Sequence, residues 1–165
     1  MNHSTIKIFE SIKRDSLESL KELLEQGCDP NSEDEEGKPL LLIAIKSGAS
    51  KEVVELLLEY GANLEWTTPE GVSLLDEAVE CNRIDLAELF IEKGMDPSVT
   101  KRKSGMTVTM LAASFDYVDM LELLYEKGAD IFAVDEIGLS AADYARKLGR
   151  GRARTWLEEK MANPF

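Results

Sequence analysis

Residues 123–132 read Leu-Leu-Tyr-Glu-Lys-Gly-Ala-Asp-Ile-Phe, and this stretch decides the fold because the chain contains three earlier versions of it. The earlier versions begin at Leu23, Leu56 and Leu89, and each leucine-rich part ends in an acidic residue, one further residue and a glycine. The four glycines stand at positions 27, 61, 94 and 128, so their spacings are 34, 33 and 34 residues. Such a constant period predicts a stack of similar structural units.

A second series of glycines lies at positions 37, 71, 105 and 138, with spacings of 34, 34 and 33 residues. Each opens an apolar segment with an alanine at a fixed offset, and these alanines are Ala44, Ala78, Ala112 and Ala145. Every unit is therefore predicted to contain a glycine, a short helix, a turn, a longer helix ending in glycine and an extended link. The small alanine side chain is expected to let paired helices approach closely.

Helix stop signals and apolar periodicity support this interpretation. A glycine after a leucine-rich helix supplies the left-handed conformation of a C-cap, and Pro30 and Pro97 prevent the helix from continuing. Apolar stripes at helical spacing are formed by Val53, Val54, Leu57 and Leu58 and by Leu86, Leu89 and Phe90. One helix pair cannot bury such a stripe alone, so neighbouring repeats must stack.

The chain resembles the ankyrin repeat family over about residues 5–160. Gly128-Ala129-Asp130 matches the family's Gly-Ala-Asp in full, whereas its Thr-Pro-Leu-His segment has decayed. The decayed copies are residues 39–42, 73–76, 107–110 and 140–143. The resemblance implies an all-α fold, an ankyrin-repeat solenoid of stacked helix-turn-helix pairs with extended finger loops.

The repeat boundaries predict a single domain over residues 1–165. Residues 5–36 form an N-terminal capping repeat, and residues 37–70, 71–104 and 105–137 form the internal repeats. Residues 138–161 are expected to be a C-terminal cap with a shortened or irregular second helix, followed by a frayed tail over residues 162–165.

The net charge of −13 is unevenly distributed. Residues 1–100 carry 9 Lys/Arg against 22 Asp/Glu, whereas residues 101–165 carry 10 against 10. Such an acidic surface repels nucleic acid and anionic membranes and favours a basic protein partner, or else serves only solubility. Without a long apolar segment or a signal sequence, we expect a soluble, cytoplasmic and monomeric protein.

The residues needed for catalysis or metal binding are scarce. The lone histidine is His3, and Cys28 and Cys81 lack the close spacing of metal-binding cysteine pairs. Glycine-rich phosphate-binding motifs are missing from the sequence as well. The sequence therefore predicts a non-enzymatic protein without a cofactor, with both cysteines in or near the core.

By resemblance, ankyrin proteins bind partners through finger tips and the exposed face of the first helices. The tips fall at residues 33–36, 66–70, 100–104 and 134–137. The partner contacts predicted on the second and third tips are Trp66, Thr68, Glu70, Lys101, Arg102 and Lys103.

Each distinctive tip allows two interpretations. Trp66 is either a partner contact, since tryptophan offers a large contact area at low entropy cost, or packing between fingers. The basic run 101–103 is either a charge contact or a solvated loop, and the acidic run 33–36 is its mirror case. Asp34 stands at the position of the family's finger-bracing aspartate.

The same alignment predicts which residues of the first helices are exposed. These residues are Ile43, Glu77, Leu111 and Tyr144, with Ser47, Cys81 and Phe115 one turn further on. Leu111, Phe115 and Tyr144 then form an apolar recognition patch beside Tyr117, or belong to the core if the helix register is shifted by one residue.

These features predict an adaptor or inhibitor that occludes or tethers a protein partner. A sharper version is the neutralisation of a basic toxin or nuclease, as similar small bacterial ankyrin proteins do. The alternative is a ligand carrier, for example one that delivers haem to a catalase, with Tyr60 and Tyr144 as candidate axial ligands.

Overall fold

A computed structural model describes residues 2–163 and contains ten α-helices within that range. Their bounds are α1 His3–Lys13, α2 Leu17–Glu25, α3 Leu40–Ser47, α4 Lys51–Glu59, α5 Leu74–Glu80, α6 Ile84–Glu92, α7 Val108–Ser114, α8 Val118–Glu126, α9 Ala141–Lys147 and α10 Gly151–Ala162. The helices come in pairs joined by short turns, and isolated β-bridges occur between the pairs. The fold is all-α.

The chain divides into two compact units, Met1–Trp66 and Thr67–Phe165. In the first unit α1 packs on α3 and α2 packs on α4, so first and second helices form separate layers. In the second unit α5, α7 and α9 form one layer and α6, α8 and α10 the other. Each unit therefore has the stacked helix pairs of a repeat solenoid.

The core lies between these layers. The alanines at positions 44, 78, 112 and 145 are fully buried, as are Val53, Val54 and Leu57 of the α4 stripe. Leu86 and Phe90 of α6 are fully buried too, while Leu58 is half-buried. The predicted apolar stripes are confirmed in both units.

Each second helix of the first four pairs ends in a glycine with positive φ, as the sequence predicts. At Gly128 the amide donates to the carbonyl of Tyr125, and the next amide, Ala129, donates to that of Leu124. This pairing is the Schellman motif, which satisfies the last carbonyls of α8. The second helices α2, α4 and α6 end in the same way.

Three of the four decayed Thr-Pro-Leu-His segments cap a helix through a side chain, whereas Pro39 at the start of the first makes no such hydrogen bond. Ser73 and Ser140 each accept a hydrogen bond from the amide of an aspartate three residues on, and Asp76 and Asp143 accept one in return from the serine amides. These are reciprocal capping boxes, which stabilise the first turn of a helix. At Thr107 the returning acceptor is the thioether of Met110, a weaker acceptor.

The turn inside each helix pair contains one residue with a left-handed backbone. These residues are Asp15, Gly48, Asn82, Asp116 and Gly149. Aspartate, asparagine and glycine are the residue types that tolerate this conformation best. Asp116 Oδ1 also accepts from the amide of Ala153 in the next pair, at 2.7 Å, and Asp15 Oδ1 accepts from that of Ser50 at 2.8 Å.

Two predictions about the C-terminal cap are wrong. The second helix of the cap, α10, is a continuous helix of 12 residues, whereas α8 has 9. Gly149 lies in the turn before it and Gly151 begins it, so neither glycine interrupts the helix. Ala162, predicted as the first residue of the tail at 162–165, belongs to this helix, and Pro164 and Phe165 lie outside the described residues.

Candidate protein-binding surface

Four extended turns, the fingers, connect successive helix pairs. They comprise residues 33–39 (finger 1), 67–73 (finger 2), 100–107 (finger 3) and 134–140 (finger 4). In finger 1, Asp34 Oδ1 accepts from the amides of Glu36 and Lys38, both at 2.9 Å. The predicted bracing role of Asp34 is thereby confirmed.

Thr68 has the corresponding role in finger 2. Its Oγ1 accepts from the amide of Val72 at 3.1 Å, and its backbone pairs with the same residue. The side chain of Thr68 is half-buried, so its oxygen stabilises the finger. This role was not predicted from the sequence, although Thr68 stands 34 residues after Asp34, one repeat further on, and also carries a side-chain oxygen.

In finger 4, Asp135 accepts hydrogen bonds from two finger amides and from the inner helix α9. The amides belong to Ile137 and Leu139, at 3.1 and 2.8 Å, and the Tyr144 hydroxyl donates at 2.5 Å. The Tyr144 bond, followed by the backbone bonds, lowers the pKa of Asp135 below its usual range. The same bond raises the pKa of Tyr144. The phenol is therefore held in its protonated form, which opposes the phenolate that a haem ligand requires.

Finger 3 is built differently, because Arg102 stands where the other fingers have their bracing residue. Its Nε lies 3.1 Å from Oδ1 of the buried Asp76, an ion-pair distance, although the N–H is not directed for a hydrogen bond. Thr100 braces the finger instead by donating to the carbonyl of Met106 at 2.7 Å and accepting from the amide of Arg102 at 3.2 Å. Arg102, predicted as a partner contact or part of a solvated loop, is half-buried, and its charge faces Asp76 within the protein.

Neighbouring fingers of the second unit are joined through their backbones. Lys103 of finger 3 donates its amide to the carbonyl of Glu70, and Glu136 of finger 4 donates to that of Ser104. Finger 3 also lies directly on Gly71, where an added Cβ would come within 1.8 Å of the Lys101 carbonyl oxygen. The second-unit fingers are thus linked to one another through their backbones.

The predicted apolar patch on the inner helices is not a single surface. Leu111 is 7% exposed and Glu77 is 8% exposed, so the expectation that both are exposed is wrong. α7 packs against both α5 and α9, so it lies in the middle of its layer. Tyr144 is half-buried and bonded to Asp135 of finger 4. Phe115 and Tyr117 lie apart from it, just after the C-terminal end of α7.

Phe115 and Tyr117 form an aromatic pair in the turn between α7 and α8. Their ring centroids lie 5.3 Å apart at an interplanar angle of 18°. The Tyr117 hydroxyl donates to the carbonyl of Glu80 in the preceding repeat, so this ring also links two repeats. Phe115 stays exposed and remains a candidate for partner contact.

Comparison with known families follows the same repeats. A model of ankyrin repeats in three copies matches residues 8–101, and a model of ankyrin repeats in many copies matches residues 91–145. The chain belongs to the ankyrin repeat family. Ankyrin repeats are generally protein–protein interaction modules, and members of the family are typically non-enzymatic.

Curated ankyrin relatives share modest identity with the chain. A Treponema pallidum protein described as ankyrin repeat-containing is 28% identical over 123 residues, and a Rickettsia bellii ankyrin repeat protein is 32% identical over 132 residues. These alignments cover 74% and 77% of this chain but 41% and 39% of the relatives. The nuclear factor NF-kappa-B p105 subunit of Gallus gallus is 27% identical over 89% of this chain and 15% of its own length.

The remaining predicted contacts of this ankyrin chain lie at or beside the fingers. Glu70, Lys101 and Lys103 are exposed and Trp66 is half-buried. Their role in binding stays a prediction. Cys81 is exposed just after α5, as the alignment of the first helices predicts and against the expectation that both cysteines lie in or near the core, whereas Cys28 is half-buried.

Across residues 2–163, no helix has the length and apolar character needed to cross a bilayer. That same range contains no group of three or more His, Cys, Asp or Glu side chains arranged to hold a metal ion.

Proposed function

We propose that this chain is a non-enzymatic adaptor or inhibitor that binds a protein partner through its fingers and inner helices. The observation that carries the proposal is the construction of the fingers, whose backbones are braced while charged side chains at their tips stay exposed. Fingers 1, 2 and 4 are each fixed by a side-chain oxygen of Asp34, Thr68 or Asp135. A loop fixed before binding loses little entropy on association.

Exposed acidic side chains in the first unit favour a positively charged partner. In finger 1, Glu33, Glu35 and Glu36 are exposed while Asp34 turns inward to the backbone. Lys38 forms an ion pair with Glu36, which raises the pKa of Lys38 and leaves Glu33 and Glu35 as the acidic groups at the tip. In its specific form, the proposal is that finger 1 binds and occludes a basic toxin or nuclease. Electrostatic attraction between the two would speed their association.

The test is affinity capture from lysate of the source cells with the tagged full chain, followed by mass spectrometry and a binding titration at increasing salt. We expect a protein of high pI whose affinity falls with salt, because screening weakens exposed charge contacts. Glu33→Lys with Glu35→Lys is expected to weaken binding at least tenfold.

The matched control is Glu22→Lys with Glu59→Lys, which makes the same charge change on exposed residues of α2 and α4. If both double variants weaken partner binding equally, binding depends on the overall charge of the chain and not on a site at finger 1. Trp66→Ala with Lys101→Glu tests the neighbouring tips, and unchanged binding by this pair would remove them from the proposed surface.

A further inference from the structure

A groove lies between the second helices α2 and α4 of the first unit. Its volume is about 360 Å³, and Leu17, Leu56 and Tyr60 contribute apolar surface to its lining. Leu17 is 42% exposed and Tyr60 is 38% exposed, so part of this apolar surface is in contact with solvent. Burying such surface on a partner is favourable, and exposed apolar patches frequently mark interaction sites.

The rest of the groove is predominantly acidic. Glu52, Glu55 and Glu59 of α4 line it, together with Lys21 of α2. Lys21 pairs with Glu25 of its own helix at 4.0 Å, and Glu55 pairs with a lysine of α4. Within the described part of the chain, Glu52 and Glu59 form no ion pair. The groove therefore combines apolar surface with two carboxylates that no cation of the chain neutralises.

In the second unit, a lysine of the chain itself reaches from one second helix to the next. Between α6 and α8, Lys127 Nζ lies 3.4 Å from Glu88 Oε1 and 3.8 Å from Glu92 Oε1. Between α8 and α10, Lys160 Nζ lies 3.5 Å from Glu122 Oε1. An ammonium group beside a carboxylate of the preceding helix is thus the arrangement that recurs between the second helices of this unit.

The first unit lacks this internal cation. Lys21 in α2 occupies the repeat position of Glu88 and Glu122, and Tyr60 after α4 occupies that of Lys127. Among the residues that the structure describes, no ion pair joins α2 to α4. The first-unit groove therefore has an aromatic ring and free carboxylates where the second unit has its own ammonium group.

We infer that this groove is a second binding site, separate from the fingers, for a lysine or arginine of a basic protein. The cation would pair with Glu52 or Glu59, and the ring of Tyr60 offers it a further favourable contact. An apolar side chain next to that cation would pack on Leu17 and Leu56. The excess of acidic residues over positions 1–100 would steer a basic protein to this unit. The site goes beyond the proposed function, because it lies on the second helices.

The probe is a phage-displayed library of random dodecapeptides, selected on the immobilised full chain. We expect enrichment of peptides with a lysine or arginine next to a large apolar residue. Replacing that basic residue by glutamine in an enriched peptide should lower its affinity about tenfold, because a charged contact is lost. Amide chemical shifts of the labelled chain at Leu17, Leu56 and Tyr60 should change when the peptide binds.

The decisive variant supplies the groove with a lysine of its own. Lys21→Glu with Tyr60→Lys, the filled-groove variant, installs the pairing that Glu88 and Lys127 make in the second unit. We expect it to weaken peptide binding about tenfold, because the internal ammonium group competes for the same site. The variant is one charge more negative than wild type, so a general charge effect would instead strengthen the binding of a basic peptide. The far-UV circular dichroism of the variant checks that it folds.

A milder pair of substitutions tests the carboxylates without adding a cation. Glu52→Gln with Glu59→Gln should also weaken the peptide about tenfold. The matched control is Glu80→Gln with Glu126→Gln, which removes the same charge from exposed residues of α5 and α8 and should bind like wild type.

Comparison with the finger 1 variants separates the two sites. Glu33→Lys with Glu35→Lys should leave the peptide bound, whereas Glu22→Lys with Glu59→Lys should weaken it, because Glu59 lines the groove. No enrichment of basic peptides, unchanged or tighter binding by the filled-groove variant, or equal loss in the two glutamine pairs would overturn the inference. A peptide lost only with the finger 1 variant would also overturn it and would leave the proposed function intact.

Discussion

At the scale of the residue, one aspartate determines how finger 4 is held. Asp135 accepts two amides of its own finger and the hydroxyl of Tyr144 on α9, so a single carboxylate fixes both the turn and its attachment to the helix layer. Arg102 shows the alternative at the same position of finger 3, where a cation reaches Asp76 instead. The residue type at this position therefore decides which neighbouring element the finger is attached to.

The Asp135–Tyr144 bond makes a pH-dependent contribution to stability. Because the pKa of Asp135 is lowered on folding, this contribution is present above about pH 3.9, the ordinary aspartate value, and is lost as pH falls through the folded pKa. Because the pKa of Tyr144 is raised, the contribution is also lost at strongly alkaline pH, as pH rises through the folded tyrosine pKa. Tyr144→Phe should therefore lower the urea midpoint at pH 7 and differ less from wild type near pH 3. Tyr60→Phe is the control, and an equal gap for Tyr144→Phe at both pH values would contradict the assignment.

At the scale of the element, the turns inside the helix pairs both bend the chain and cap the next helix. Asp116 adopts a left-handed backbone and accepts from an amide in the first turn of α10. Asp15 makes the equivalent bond before α4 in the first unit. A cap supplied by the preceding repeat makes α4 and α10 dependent on their neighbours, which couples adjacent repeats in each unit.

Two substitutions at Asp116 separate the cap from the turn. Asp116→Ala removes the cap and places a Cβ-bearing residue without a polar group in the left-handed region, so we expect a loss of roughly 1–3 kcal/mol. Asp116→Gly removes only the cap and should lose about 1 kcal/mol less than the alanine variant. Urea unfolding gives both free energies, and hydrogen exchange at the Ala153 amide reports the cap itself. Equal losses in the two variants would mean that backbone conformation contributes nothing at this turn.

At the scale of the whole molecule, stability comes from buried stripes shared between consecutive helix pairs. Within the first unit α4 packs on both α2 and α3, and within the second α8 packs on α6, α7 and α10. Such interfaces between neighbours dominate the energetics of repeat proteins, since no pair has a core of its own. Buried leucines of the second helices should therefore be among the positions where truncation lowers stability most.

Leu57→Ala tests this stacking in the first unit. Leu57 is fully buried, so its truncation should leave a cavity and lower the free energy of unfolding by roughly 2–5 kcal/mol. Leu17→Ala in α2, at a leucine that is 42% exposed, is the control and should change stability much less. Denaturant titrations followed by far-UV circular dichroism measure both, and a loss near zero for Leu57→Ala would refute the assigned helix register.

The repeat pattern predicted most of the fold because it is local. Glycine ends a helix through its own backbone, and the stripe of Val53, Val54 and Leu57 follows from helical periodicity alone. The capping boxes at Ser73 and Ser140 also follow a local pattern, serine followed three residues later by aspartate, although comparison with the family segment alone predicts only decay there. The sequence left two alternatives for Leu111, an exposed patch or the core, and the choice between them depends on how closely α5 and α9 pack on α7.

The sequence by itself determined the repeat period, the all-α class, the helix ends and the acidic character of residues 1–100, since these follow from short-range patterns and composition. The tertiary structure decided which finger residues bond within the protein and which are exposed to a partner. It directed Arg102 to Asp76 and Tyr144 to Asp135, and it placed finger 3 on Gly71. These outcomes join residues of neighbouring elements, and the direction of a side chain across such a gap is fixed only once the helix pairs are stacked.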